Sequence, residues 1–205
     1  MGWYERRVLP RIINKVLDTK QTRETRERVV SALSGEVLEI GFGSGLNLPY
    51  LPDGVTSWKA VDPSGEAAKL AASRIAAARV PIEVVGLDGQ KLPLPDDSVD
   101  AVLSTWTLCT IPDAVAAIRE VRRVLRPGGT LHFVEHGKAD EAGVRKWQDR
   151  LNPVQRRIAG GCNLNRDITA IVTDGGMSMS KLNRYYAAAE PKAFGAMYEG
   201  VAVAH

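Results

Sequence analysis

Apolar and polar positions follow two different periods along this chain of 205 residues. Between residues 34 and 136, short apolar runs alternate with segments in which apolar residues recur every three or four positions. The runs predict strands and the periodic segments predict amphipathic helices, an order typical of βαβ units around a parallel sheet buried on both faces. The pattern predicts strands at 34–40, 57–62, 82–88, 99–106 and 130–136, and helices at 64–80 and 112–126.

The two ends of the chain add helices and strands to this core. Apolar positions Val8, Ile12, Ile13, Val16 and Leu17 predict a first helix, which we expect to pack on its own domain, and a polar-faced helix follows over residues 21–33. Residues 152–176 are expected to be helical with a break at Gly160 and Gly161. Segments 177–186 and 192–204 resemble two terminal strands.

These elements predict an α/β fold with a doubly wound, mostly parallel, seven-stranded sheet of Rossmann-like type that ends in an antiparallel strand pair. We interpret residues 1–205 as a single domain. Within it, residues 1–34 would form an N-terminal helical lid, 35–137 a cofactor-binding core, and 138–205 acceptor-side helices with the terminal strands. Trp3 and Tyr4 are candidates for the lid, although such aromatic residues often pin a helix to the core.

Composition narrows the class of protein. Hydrophobic residues make up 44% and charged residues 25%, as in ordinary globular proteins. The net charge of +3 is spread among acids, as in "TRETRERVV", which gives little support to a nucleic-acid partner. The sequence has neither an apolar run of the ~18 residues that a membrane span needs nor a cleavable signal, so we expect a cytoplasmic protein without integral membrane contact. The amphipathic first helix leaves room for peripheral contact.

The cysteine content also favours a cytoplasmic protein. Cys109 and Cys162 show no metal-ligand spacing and no disulfide framework, which fits a reducing compartment, and we expect no bound metal. The sequence does not distinguish a monomer from a homodimer.

The glycine-rich stretch "EVLEIGFGSGLNLP" follows the first strand of the core. Gly41, Gly43 and Gly45 give the pattern G-x-G-x-G, but Leu46 stands where a dinucleotide fingerprint needs a third glycine or alanine. The Gly-Lys-Ser/Thr of a P-loop is also missing. Neither kind of phosphate-binding loop is therefore favoured.

Acidic residues end three successive strands beside this loop. An unpaired Glu39 at about 4 Å would repel a pyrophosphate by roughly 4 kcal/mol, at an effective dielectric constant of 20. A ligand with ammonium and sulfonium groups and no phosphate, such as S-adenosylmethionine, suits this acid better. Asp62 lies 23 residues beyond Glu39, where it could accept hydrogen bonds from ribose hydroxyls, and Asp88 with Gly89 could contact an adenine ring. Each acid alone could instead be a helix N-cap or a turn residue.

The motifs "LEIGFGSGLNLP", "AVDPS", "LPLPDDSVDAVLSTWTLCTI" and "REVRRVLRPGGTLHFVEH" resemble those of class I S-adenosylmethionine-dependent methyltransferases of the type 11 subgroup. Together with "LCTI", "FVEHG", "GCNLNRD" and "YEGVAVA", the chain is similar to animal thiol S-methyltransferases, whose hydrophobic N-terminal anchor it lacks. The resemblance implies a small acceptor, a thiol or sulfide, with S-adenosylhomocysteine as product. The cofactor residues that it implies are Glu39, Gly41, Gly43, Gly45, Asn47, Asp62, Pro63, Asp88, Gly89, Thr105 and Trp106.

The acceptor should meet the residues that follow the fourth and fifth strands. We expect His136 to take a proton from the acceptor, or else to bond to a neighbouring loop, and Thr105 to assist. Asn163 and Arg166 share one face if "GCNLNRD" is helical, and Arg166 could then favour a thiolate, unless it pairs with Asp167 or Glu190. The acceptor-binding candidates are Trp106, Cys109, His136, Cys162, Asn163 and Arg166, and Glu135 is also expected to face the methyl group.

Three other functions stay open at this stage. The chain could methylate oxygen or nitrogen of a small aromatic, quinone-like or phospholipid head-group acceptor, which would require a general base. It could bind S-adenosylmethionine without turnover as an interaction module. It could also be an NAD-dependent reductase.

Overall fold

The computed structural model describes residue 4, residues 7–188 and residues 190–205, so Trp3 lies outside the described part. The helices are α1 Leu9–Val16, α2 Lys20–Val30, α3 Gly65–Ala76, α4 Ala114–Val124, α5 Ala142–Ile158, α6 Ile168–Asp174 and α7 Lys192–Gly195. The strands are β1 Gly35–Ile40, β2 Val55–Val61, β3 Ile82–Gly86, β4 Val99–Thr105, β5 Leu125–His136, β6 Ser178–Tyr186 and β7 Ala196–Val203.

The seven strands form one sheet in the order β3-β2-β1-β4-β5-β7-β6. The first five are parallel, whereas β7 runs antiparallel to both β5 and β6. This confirms the predicted α/β fold, its parallel core and its antiparallel terminal pair. The chain reverses its winding between β1 and β4, and ligands of such sheets bind at the carboxyl edge beside that point.

Apolar side chains fill both faces of the sheet because successive residues of a strand point to opposite sides. On β1, Leu38 and Ile40 belong to one buried cluster, and Val37 belongs to the other. Glu39 follows the alternation onto the Val37 face, so its carboxylate is enclosed by a hydrophobic layer. The strand period thus decides how deeply this acid is buried.

Several predicted elements differ from the structure; β5, for example, begins at Leu125 rather than at 130, and α5 begins at Ala142 rather than at 152. Residues 159–167, which include "GCNLNRD", form no helix, because Gly160 and Gly161 adopt positive φ angles of 60° and 94° that end α5 and redirect the chain. Residues 192–195 form the short helix α7, so the last strand begins at Ala196 rather than at 192.

The apolar stripe of α1 is not buried against the domain as expected. Leu9 is buried, but Ile12, Ile13 and Val16 are 45%, 39% and 61% exposed. Polar contacts hold this helix instead: Asn14 accepts a 2.6 Å hydrogen bond from Ser44, and Arg11 pairs with Glu66 at 2.8 Å. No helix among the described residues is long and apolar enough to cross a membrane.

Candidate active site

The glycine loop follows β1 at the winding reversal. Gly41, Gly43 and Gly45 have φ angles of 73°, 56° and 73°, in the left-handed region that favours glycine. A Cβ at Gly41 would overlap the Thr107 side chain, whereas a Cβ at Gly43 would meet only the Gly41 carbonyl oxygen, at 3.9 Å. Gly41 therefore permits close packing of two loops, and the space beside Gly43 is open to a ligand.

Glu39 sits beneath this loop with both carboxylate oxygens engaged. Its Oε1 accepts a 2.6 Å hydrogen bond from the Asn47 amide, and its Oε2 accepts a 3.1 Å bond from the Trp58 indole. The side chain is 1% exposed. The expectation of an unpaired carboxylate that directly repels a diphosphate is therefore wrong, because the sheet buries this acid and its neighbours satisfy it.

Arg26 of α2 completes a buried polar network around Glu39. Its Nη1 donates to Asn47 Oδ1 at 2.8 Å and to Thr105 Oγ1 at 3.1 Å, and its guanidinium stacks on the Trp106 ring at 4.7 Å from the centroid. Thr105 also accepts a 3.1 Å bond from Asn47. Thr105 is thus part of the wall of the crevice, and its predicted role in catalysis stays a prediction.

Burial dominates the electrostatics of this network. It raises the pKa of Glu39 to about 8, although the bonds from Asn47 and Trp58 and the charge of Arg26 act in the opposite direction. It also lowers the pKa of Arg26 to about 10. Near neutral pH, Glu39 is therefore a largely protonated acid that a nearby cation would ionise.

Asp62 and Asp88 reach the same edge from β2 and β3. Asp62 accepts 2.8 Å bonds from the Gly43 and Ser64 amides, one on each oxygen, and burial raises its pKa. Asp88 is exposed and accepts from the Gln90 amide at 2.8 Å on Oδ1, which lowers its pKa. Both carboxylates keep acceptor positions free.

The remaining predicted cofactor residues also lie near this edge. Pro63 follows β2 and is exposed. Gly89 follows Asp88, and a Cβ there would lie 4.0 Å from the Ile40 Cβ at the end of β1. The structure therefore brings together the ends of β1, β2 and β3 that the sequence assigned to one ligand.

Two cysteines and a histidine meet near the carboxyl ends of β4 and β5. The Cys162 Sγ lies 3.5 Å from the Cys109 Sγ and 3.7 Å from the His136 Nδ1. Both cysteines are buried and free, whereas His136 is half-buried at the carboxyl end of β5. This cluster joins three residues that are far apart in the sequence.

The two thiols of the cluster are not equivalent. The contact with Cys109, helped by the contact with His136, holds the pKa of Cys162 well below its usual range, and the same Cys109–Cys162 contact together with burial raises the pKa of Cys109. Burial opposes a charged imidazolium, but the contact with Cys162 outweighs it and raises the pKa of His136. The cluster therefore favours a thiolate on Cys162.

Asn163 and Arg166 stabilise the loop after β4. The Asn163 amide donates to the Cys109 carbonyl at 2.9 Å, and the Arg166 guanidinium donates to the carbonyls of Leu108, Ile111 and Pro112. The predicted helical face is wrong because this segment is not a helix. Both residues still converge, since each satisfies carbonyl groups of the same loop.

Glu135 supports that loop from below. It is fully buried and accepts from the Ser104 hydroxyl at 2.7 Å, from the Thr107 amide at 3.0 Å and from the Cys109 amide at 3.3 Å. Both carboxylate oxygens are therefore engaged by the protein itself, and the expected position of Glu135 beside the methyl group stays a prediction.

Comparison with known proteins identifies the family. Residues 38–133 match the model of a methyltransferase domain. A demethylmenaquinone methyltransferase of Mycolicibacterium paratuberculosis (strain ATCC BAA-968 / K-10) is 36% identical over 161 residues, which cover 76% of this chain and 67% of that protein. The chain belongs to the class I S-adenosylmethionine-dependent methyltransferases.

Other methyltransferases are similar over most of the chain. The human thiol S-methyltransferase TMT1A is 34% identical over 155 residues, which cover 74% of this chain and 63% of TMT1A, so the chain spans slightly less than two thirds of that relative. A methyltransferase solved in complex with the Haloferax volcanii Trm112 activator shares the fold with a TM-score of 0.72 at 18% identity. The match covers 98% of this chain and 96% of that chain.

The residues at the carboxyl edge fit the methyltransferase cofactor. The open space beside Gly43 lets the amino-acid group of the cofactor lie close to the backbone. Asp62 and Asp88 keep free acceptor positions, which suit the ribose hydroxyls and the exocyclic amine of adenine. Glu39 supplies a negative potential from below once it is ionised.

Sequence reasoning missed Arg26 and Trp58, which hold the Glu39 network. Arg26 is one of several arginines in a polar helix, and Trp58 lies within an ordinary apolar strand. No local signal marks either residue, because their partners are supplied by other elements.

Proposed function

We propose that this methyltransferase transfers the methyl group of S-adenosylmethionine to a small thiol or sulfide. The observation that carries the proposal is the Cys109–His136–Cys162 cluster at the acceptor edge, beside an acid, Glu135, whose carboxylate is fully engaged. An oxygen or nitrogen acceptor would need a well-placed base, whereas a thiol is already partly ionised near neutral pH. The similarity to the thiol S-methyltransferase TMT1A supports the same acceptor class.

We assign the cofactor to the carboxyl edge of β1, β2 and β3. Asp62 would hold the ribose, Asp88 and Gly89 the adenine, and the loop of Gly41, Gly43 and Gly45 the amino-acid group. When bound, the cofactor supplies a methyl group activated by a sulfonium. The protein then needs to align the acceptor with that methyl group and exclude water, so proximity supplies most of the rate enhancement.

A second candidate function is methylation of a quinone-like acceptor, which the demethylmenaquinone methyltransferase supports at 36% identity. In that case His136 would be the proton acceptor, through the nitrogen that does not face Cys162. We place the protein in the cytoplasm, where two buried thiols 3.5 Å apart stay reduced.

The test is incubation with methyl-labelled cofactor and acceptors that differ in one atom: benzenethiol, phenol and aniline, with sulfide and a demethylated quinol added. We expect label in the thioether products, with the phenol and aniline at least about a hundredfold slower at neutral pH, because their nucleophiles need a base. Labelled quinol without labelled thioether would contradict the thiol assignment and favour the second function. Cofactor binding without any labelled product would contradict both methylation functions and favour a module that binds S-adenosylmethionine without turnover.

A further inference from the structure

The geometry of the Cys109–His136–Cys162 cluster points to a metal site. The Cys162 Sγ lies 3.5 Å from the Cys109 Sγ and 3.7 Å from the His136 Nδ1, and all three ligand atoms lie within 4.8 Å of one another. A tetrahedral zinc ion with Zn–S bonds of about 2.3 Å and a Zn–N bond of about 2.0 Å separates its ligand atoms by roughly 3.5 Å. The cluster therefore already has nearly the spacing that zinc requires.

The surrounding structure holds the backbone of these three residues in place before any ion arrives. Cys109 is fixed through its amide by Glu135 and through its carbonyl by the amide and side chain of Asn163. The turn of the Cys162 segment is closed by a 3.1 Å bond from its amide to the Ala159 carbonyl. His136 is fixed by its pairing with Met197 across β5 and β7. Ligand residues whose backbone is already fixed lose less conformational entropy when they bind an ion.

The charge balance also fits. Two thiolates neutralise a divalent ion, which removes the cost of burying either thiolate alone. Two sulfurs and one imidazole are the ligand types that zinc selects, and three protein ligands leave a fourth position for water or substrate.

We propose that Cys109, His136 and Cys162 bind a zinc-like divalent cation whose fourth position takes the acceptor sulfur. The second half of this statement rests on the proposed function. On coordination, the acceptor S–H bond breaks and its proton leaves to water, while the sulfur binds the cation as a thiolate. A lone pair of that sulfur then forms the S–CH₃ bond as the bond between the methyl group and the sulfonium breaks. The electrons of the broken bond stay on the cofactor sulfur, which leaves as S-adenosylhomocysteine, and the methylated acceptor dissociates as a thioether. His136 is a ligand in this arrangement, not a general base.

The test uses the full chain, reduced with a phosphine under nitrogen, stripped with a chelator and titrated with Zn²⁺ and with Co²⁺. We expect one ion per chain and, for Co²⁺, the charge-transfer absorption of two thiolate ligands. Cys162→Ser and His136→Gln should weaken binding on the order of a hundredfold or more. His132→Gln is the matched control, since His132 lies on the same strand, bonds to Thr130 at 3.0 Å and is outside the cluster.

Calorimetry with S-adenosylhomocysteine checks that each variant is folded, because the expected cofactor residues are separate from the cluster. Zinc binding that is absent, or that persists unchanged in Cys162→Ser, would overturn the metal site. So would unchanged binding in His136→Gln combined with lost activity, the result expected of a general base.

The metal site and the proposed function fail in different ways. Stoichiometric metal binding without thiol methylation refutes the function and leaves the metal site intact. Thiol methylation that survives complete metal removal refutes the role of the cation in binding the acceptor sulfur and leaves the function. A change in the Co²⁺ spectrum on adding benzenethiol, but not phenol, supports sulfur at the fourth position, and an unchanged spectrum contradicts it.

Discussion

At the scale of single residues, burial sets the chemistry of the crevice more than residue type does. Glu39 lies beneath the loop where we expect the cationic cofactor to bind, yet its enclosure by the sheet raises its pKa to about 8. The unfolded chain would ionise this carboxyl near its ordinary value of about 4.5. Between these two pH values, the unfolded state releases the proton first, so Glu39 lowers the stability of the ligand-free protein as pH rises through this window.

This shift predicts proton release on cofactor binding. At pH 7 the Glu39 carboxyl is mostly protonated, and a bound cation favours its ionised form, so binding should release up to one proton and affinity should rise from pH 6 to pH 8. Calorimetry in buffers of different ionisation enthalpy measures the released proton. Glu39→Gln should abolish the release, and an equal proton count in this variant would contradict the assignment.

Asp62 gives a second prediction at this scale. Asp62→Asn should weaken cofactor binding about tenfold to a hundredfold, because hydrogen bonds to a charged group contribute about 1.5 to 3 kcal/mol. Binding of 2′- and 3′-deoxy analogues of S-adenosylhomocysteine to both proteins completes a double-mutant cycle. If the hydroxyls still contribute fully in Asp62→Asn, the ribose is held elsewhere. Asp53→Asn, which changes an exposed acid paired with Arg79, is the control.

At the scale of elements, α1 connects the glycine loop to α3, and Tyr4, which precedes α1, contacts the end of α5. Asn14 contacts Ser44, Arg11 pairs with Glu66, and Tyr4 donates to the Ile158 carbonyl at 3.1 Å. Apart from Leu9, the helix buries little apolar surface. Elements held by few apolar contacts open at low free-energy cost, which suits the expected lid.

We therefore predict that cofactor binding slows amide hydrogen exchange in residues 9–16 several-fold. Leu9→Ala should speed this exchange in the ligand-free protein and weaken cofactor binding several-fold, since the lid loses its buried anchor. Exchange in β4 should not change, which serves as the internal control. If cofactor binding leaves the amide exchange rates in α1 unchanged, this helix is not a lid.

At the scale of the whole molecule, the ligand should stabilise the fold by mass action. At a concentration about a hundred times its Kd, S-adenosylhomocysteine should add about 2.7 kcal/mol to the free energy of unfolding. For a protein of this size, that corresponds to a rise in Tm of about 5 to 10 °C. NAD and NADH should leave the thermal transition unchanged, and a comparable shift with either would revive the reductase alternative.

The sequence by itself determined the fold class, because strand and helix periods are local properties of the chain. The order of β1 to β5, the glycine loop and the three acids at successive strand ends follow from period and spacing alone. The break after α5 was also visible, since Gly160 and Gly161 end a helix wherever they occur.

Only the tertiary structure decided which side chains meet. Arg26 reaches Asn47 from another helix, and Cys109, His136 and Cys162 come together from three separate segments. The burial of Glu39 and Glu135 likewise depends on neighbouring residues that come from other segments of the chain. Contacts and pKa shifts arise from groups distant along the chain but close in space, so local patterns cannot contain them.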